Sequence, residues 1–143
     1  MDYRLQVITL AVRDADVARA FYTKGVGFDL DVDYRPADDF RVVQLTPPGA
    51  ACSVQFGTGL TDAPPGSARA TYLVVTDIEA ARTDMTGRDV PVSAIRHKSP
   101  VEDWKGGWAP GADPQHRDYA SVADFADPDG NTWILQEVGY QKG

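Results

Sequence analysis

The 143-residue chain reads as an α+β protein built from two tandem βαβββ modules. Three observations predict this. A weak internal repeat recurs at an offset of 63 residues. Each copy runs in the same order, from apolar strand to aspartate to helix. Turn-forming clusters then divide the chain after each helix into strand-sized pieces.

The repeat comes first because it sets the rest. Residues 7–21 read VITLAVRDADVARAF and residues 70–84 read ATYLVVTDIEAARTD. Leu10 aligns with Leu73, Val12 with Val75, Asp14 with Asp77, Ala18 with Ala81 and Arg19 with Arg82. In the first copy, residues 5–12 are rich in branched apolar side chains and predict a strand. Asp14 suits the cap of a helix, since a short carboxylate accepts from the first free amides, and Asp16 adds charge favourable to the helix N-terminus. Val17, Ala20, Phe21 and Lys24 follow helical spacing, which puts Val17 and Phe21 on the buried stripe. Gly25 and Gly27 end the helix. Strands are predicted over residues 28–34, 40–46 and 51–58, divided by an Asp-rich turn at 36–39 and a Pro-Pro-Gly turn at 47–49.

The second copy repeats the plan. A strand is predicted at 71–76, a helix at 78–87, and strands at 90–96, 119–125 and 132–138. Asp127-Pro128-Asp129-Gly130-Asn131 is a strong turn before the last strand. The chain is thus read as a single domain, with module one at 5–60, a Pro- and Gly-containing linker at 61–68 and module two at 69–140. One segment breaks the symmetry. Residues 98–118 form a long loop with six Gly or Pro residues and two tryptophans, Trp104 and Trp108. Long loops in compact domains are usually functional or disordered, and two tryptophans argue against disorder. The loop is read as a lid over a pocket or as a surface packed on a second subunit.

Composition bounds the partners. The hydrophobic fraction of 43% and charged fraction of 24% are those of a globular protein. A net charge of -7 without Lys/Arg clusters argues against nucleic acid and against an anionic membrane surface. The single cysteine, Cys52, cannot form an intrachain disulfide, and its alternation with Val54 and Phe56 suits a small core residue. No basic-then-apolar leader opens the chain and no apolar run approaches the ~18 residues of a membrane span, so the expected location is the cytoplasm.

Two motifs carry a family resemblance. Phe21-Tyr22, followed by Gly25-Val26-Gly27-Phe28, resembles the helix exit of vicinal oxygen chelate proteins, the glyoxalase, bleomycin-resistance and extradiol-dioxygenase superfamily. Phe125-Ala126-Asp127-Pro128-Asp129-Gly130-Asn131, with Leu135 and Glu137 after it, resembles their closing signature. Order and spacing extend the resemblance over nearly the whole chain, and residues 53–61 and 113–128 look like a bacterial glyoxalase-like branch. The resemblance implies modules curved into a half-barrel around a pocket, a homodimer, and usually a divalent metal that polarises two adjacent substrate oxygens.

In that family, metal ligands lie on the first and last strands of each module. The matching residues here are Val7 and Ala70, which cannot bind a metal, then Gln55 or Ser53 depending on register, then Glu137. With two of four positions surviving at most, no cofactor is predicted, because a metal site generally needs three protein ligands. If a metal is bound, Glu137, His97 and His116 are the expected set, since the two histidines flank the long loop. Glu137 is otherwise read as a cavity carboxylate, sharing a strand face with Trp133 and Leu135.

Alternation supplies the remaining candidates. Tyr119, Ser121, Ala123 and Phe125 share a face, as do Tyr72 and Ala70. If those faces point inward, the pocket suits a flat aromatic or polyketide-like molecule. The candidate catalytic residues are Glu137, His97 and Tyr119; the candidate ligand contacts are Gln55, Tyr72, Ser121, Trp104, Trp108 and Trp133. Three functions remain in play. The leading one is metal-independent acid–base chemistry of isomerase or lyase type, since a carboxylate in an apolar cavity has its pKa raised toward neutrality. The second is capture of a small molecule without turnover, as in bleomycin-resistance proteins. The third is a glyoxalase- or dioxygenase-type metal enzyme with relocated ligands.

Overall fold

The computed structural model describes residues 1–142. Both predicted modules are present as separate sheets. A four-stranded sheet has the order β1-β4-β3-β2, from β1 (Val7–Thr9), β2 (Asp29–Ala37), β3 (Phe40–Thr46) and β4 (Ser53–Thr58). A five-stranded sheet has the order β5-β9-β8-β6-β7, from β5 (Thr71–Val75), β6 (Arg96–Ser99), β7 (Gly107–Pro110), β8 (Ser121–Ala126) and β9 (Thr132–Glu137). The repeat shows in the pairing: β1 lies parallel to β4 as β5 lies parallel to β9, and the other pairings are antiparallel. Asp14 and Asp77, aligned in the sequence, cap α1 (Ala15–Ala20) and α2 (Ile78–Gly87) through their side chains. Among the described residues, no helix is long and apolar enough to cross a membrane.

The first unit comprises residues 1–68 together with the turn 127–131. Helix α1 continues as a π-helical turn, Phe21–Val26, closed by Gly27 at φ 95°. The buried stripe differs from the predicted one. Ala18, Tyr22 and Gly25 face inward, while Val17 is half-exposed. The shift by one residue brings the Tyr22 ring onto Phe28 and Phe56 and its hydroxyl onto Asp127. A buried phenol needs such a partner, and Val17 offers less apolar surface to cover. On the outer side, Arg41 bridges Asp33 and Asp16, tying β3, β2 and α1 together.

The returning turn is a polar knot inside this unit. Asp127 accepts from the Tyr22 hydroxyl at 2.8 Å, the Asn131 amide side chain at 2.8 Å, and the backbone amides of Asp129 and Asn131. Asn131 donates to the Ala11 carbonyl and accepts from the Ala68 amide. Gly66 holds the linker against it: a Cβ there would stand 2.0 Å from the Asp129 carbonyl oxygen, at a φ of +78°.

The second unit comprises, among the described residues, 69–126 and 132–142. Helix α2 matches the predicted 78–87, but the strand predicted at 90–96 is displaced to β6, beginning at Arg96. Residues 98–118 are not one loop. Their first half forms the β6–β7 hairpin, with Lys98 opposite Trp108, and Trp104 sits in its turn. The glycines and prolines that suggested irregular chain lie mainly at the hairpin's ends.

Candidate functional site

The five-stranded sheet has one covered and one open face, and registry assigns every residue to one of them. On the covered face Leu135 pairs with Leu73 and Ala123, and Trp133 with Phe125, under α2 with its buried Ile78 and Met85. Trp133 is stacked on Phe125 with ring centroids 6.0 Å apart. The open face carries Tyr72, Val74, Val122, Asp124, Ile134 and Gln136, continued by Arg96, Lys98 and Trp108 on the hairpin.

Glu137 belongs to the covered face, so the expected cavity carboxylate is not on the open side of the sheet. It shares that face with Trp133 and Leu135 as predicted, but all three are buried. Its Oε2 accepts from the Ile78 amide at the start of α2 at 3.0 Å, and its Oε1 bonds the His116 Nδ1 at 2.8 Å. The physical reason is the helix: its first amides need an acceptor, and Glu137 supplies one from the strand beneath. His116 lies flat on Tyr140, with centroids 3.6 Å apart, beside a surface hollow of about 360 Å³ lined by Asp77, Glu79, Ala80, Thr83 and Asp84.

The other predicted residues divide. His97 does not join His116; its Nδ1 bonds the Gly111 carbonyl at 2.8 Å. Ser121 is buried, and its hydroxyl accepts from the Asp113 amide, so it holds a loop. Tyr119 precedes β8 at φ 69° with its ring exposed, not in the alternation expected of it. Gln55 lies in the first unit and donates to the Thr9 hydroxyl, with Ser53 on the same strand face. Tyr72, Trp104 and Trp108 stand on or beside the open face of the second unit, 56%, 53% and 46% exposed.

A divalent metal of the family's kind does not fit these donors. Val7 and Ala70 offer none, Gln55 offers only a neutral amide oxygen, and the two oxygens of Glu137 accept from the Ile78 amide and bond His116. Among the described residues, no group of three His, Cys, Asp or Glu side chains is placed to hold an ion.

Two functional candidates were missed in the sequence. Arg96 and Lys98 alternate on β6 and both lie over the Trp108 ring, at 4.9 Å and 4.4 Å from its centroid. Their i, i+2 spacing was the available signal, hidden because the predicted strand ends at residue 96. Arg96 is matched by a two-pronged pair with Asp124 at 2.8 Å and 3.2 Å. Lys98 is almost fully buried against Trp104 and Trp108.

The loop after the hairpin is held by Asp113. Its carboxylate accepts from the Arg117 guanidinium and from the Gln115 and Arg117 backbone amides. The Arg117 side chain, opposed by burial, holds the Asp113 carboxyl well below the usual carboxylate range. A group with a depressed folded-state pKa stabilises above its unfolded pKa, about 4, and that stability is lost as pH falls through the folded value. Thermal unfolding followed from pH 7 to pH 3 is therefore expected to show a falling Tm. Asp113→Asn should be less stable at pH 7 and show a flatter acid limb; an unchanged limb would assign the acid sensitivity elsewhere.

The comparisons with known proteins agree with this architecture. The Glyoxalase/Bleomycin resistance protein/Dioxygenase superfamily model matches residues 4–135. TnmS3, an antibiotic binding protein from Streptomyces sp. CB03234, is 29% identical, with 95% of this chain and 96% of that chain covered and a TM-score of 0.71. A glyoxalase/bleomycin resistance protein from the same strain is also 29% identical, covering 94% and 100%, with a TM-score of 0.69. A superfamily member from Sphaerobacter thermophilus DSM 20745 is 26% identical, covering 96% and 98%, with a TM-score of 0.70. The curated proteins contain no match.

Proposed function

Because this chain belongs to the glyoxalase/bleomycin resistance protein/dioxygenase superfamily, we propose that it is a small-molecule binding protein that captures a flat aromatic compound without transforming it. The observation that carries this is the division of labour between the two faces of the second unit's sheet. The close acid–base pair of His116 with Glu137 lies on the covered side and serves the start of α2. The open side offers exposed rings at the two edges of the sheet, Tyr72 with Val74 on β5 and Trp104 with Trp108 at the β6–β7 hairpin, each about half exposed. Exposed aromatic rings stack on flat ligands. The likeness to TnmS3, named as antibiotic binding, supports the same reading.

Pairing with a second copy is supported by a different surface, in the first unit. Leu30, Val32 and Tyr34 on β2 of the first unit are likewise exposed along an unpaired sheet edge. A homodimer is the expected state, checked by light scattering.

Mass spectrometry of the native protein with a panel of flat aromatic polyketides, followed by chromatography of the released ligand, tests the function. A saturating complex with one ligand per site, released unchanged, is the expected result. Consumption of ligand in molar excess over protein would overturn it and restore acid–base catalysis. Glu137→Gln separates the two readings further. Loss of the charge on a fully buried acceptor should cost about 1–2 kcal/mol of stability, measured by urea unfolding, while ligand affinity stays within about twofold.

A further inference from the structure

On the reading that the open face of the second unit binds aromatic molecules, we infer that its ligand carries an ionised oxygen, a carboxylate or phenolate on the ring system, and that Lys98 is the residue that selects it. Lys98 is 8% exposed. Its ammonium donates to the Trp104 carbonyl and lies 6.0 Å from the Trp104 ring and 4.4 Å from the Trp108 ring. Among the described residues no carboxylate pairs with it. The neighbouring cation on the same face, Arg96, is paired with Asp124, so those two charges cancel while the charge of Lys98 does not.

A buried charge without a counter-charge is costly, and an anionic ligand group placed beside it would offset that cost. A carbonyl and two ring faces reduce that cost without removing it, because an ammonium has three donors and the carbonyl takes one. The third element is position. Lys98 is cross-strand from Trp108, so an aromatic ligand lying on the indole would bring a ring substituent to the ammonium. An anionic substituent gains a charge-assisted hydrogen bond there; a neutral one gains only the ring contact, and a cationic one is repelled. The chain's overall charge of -7 points the other way, toward cationic ligands, so the local site and the net charge make opposite predictions.

Calorimetric titration of the intact protein with 2-naphthoate and with 2-naphthamide, the same ring with and without the charge, decides between them. The wild type is expected to bind the acid at least tenfold more tightly than the amide. Lys98→Met, which keeps the length of the side chain, should bring the acid down to the amide's affinity and leave the amide within about threefold. Lys98→Arg should retain the preference, and far-UV circular dichroism of both variants confirms their fold. A preference that disappears in 0.5 M salt belongs to the same outcome. Equal binding of both probes by the wild type, or a preference that survives Lys98→Met, would sink the role of Lys98 while leaving the aromatic site standing. Binding of neither probe would remove both readings together.

Discussion

Asp127→Ala is expected to destabilise the first unit by about 3–5 kcal/mol, the largest effect of any single substitution considered. The carboxylate is buried and satisfies four donors: the Tyr22 hydroxyl, the Asn131 side chain, and the Asp129 and Asn131 amides. Each loses its partner in surroundings too closed for easy rehydration, which costs about 1–3 kcal/mol per group before relaxation. Tyr22→Phe removes one of the four and leaves the ring packing against Phe28 and Phe56, so about 1–2 kcal/mol is expected. Urea unfolding of both variants measures this. An Asp127→Ala loss below about 1 kcal/mol would mean that water enters the turn and replaces the carboxylate.

Trp108→Ala is expected to weaken aromatic ligand binding by at least about thirtyfold, or roughly 2 kcal/mol. The indole is the platform on which both Arg96 and Lys98 lie, and it is about half exposed. Because the side chain is 46% exposed, the same change should cost the fold less than about 1.5 kcal/mol. The contrast between the two numbers is the test. Unchanged affinity would place the ligand away from the hairpin, and a stability loss matching the affinity loss would make Trp108 a packing residue.

Much of the fold was legible in the chain because it rests on local chemistry. Asp14 and Asp77 cap their helices as read, and the strand at 40–46 and the helix at 78–87 begin and end where turn chemistry said they would. The repeat, too, survives as matching parallel pairs of first and last strands. The helix stripe was legible only to within a residue. Val17 and Ala18 are both apolar, and the choice was made by a distant contact, Tyr22 with Asp127.

The candidate site was less legible, for a geometric reason. Alternation says which side chains share a face of a strand, and it placed Trp133, Leu135 and Glu137 together correctly. It does not say which face a helix will cover. Helix α2 covers that one, which turns Glu137 from a cavity carboxylate into the acceptor for the helix's first amide and leaves Ile134 and Gln136 on the open side. The hairpin shows the same limit. Glycine and proline marked residues 98–118 as irregular, yet β6 and β7 pair within them. By itself, then, the sequence determined the two-module plan, its caps and its turns, all set by chemistry within a few residues. Only the tertiary structure decided which sheet face stays open and that an almost buried lysine lies on it between two indoles, because both depend on contacts between segments far apart in the chain.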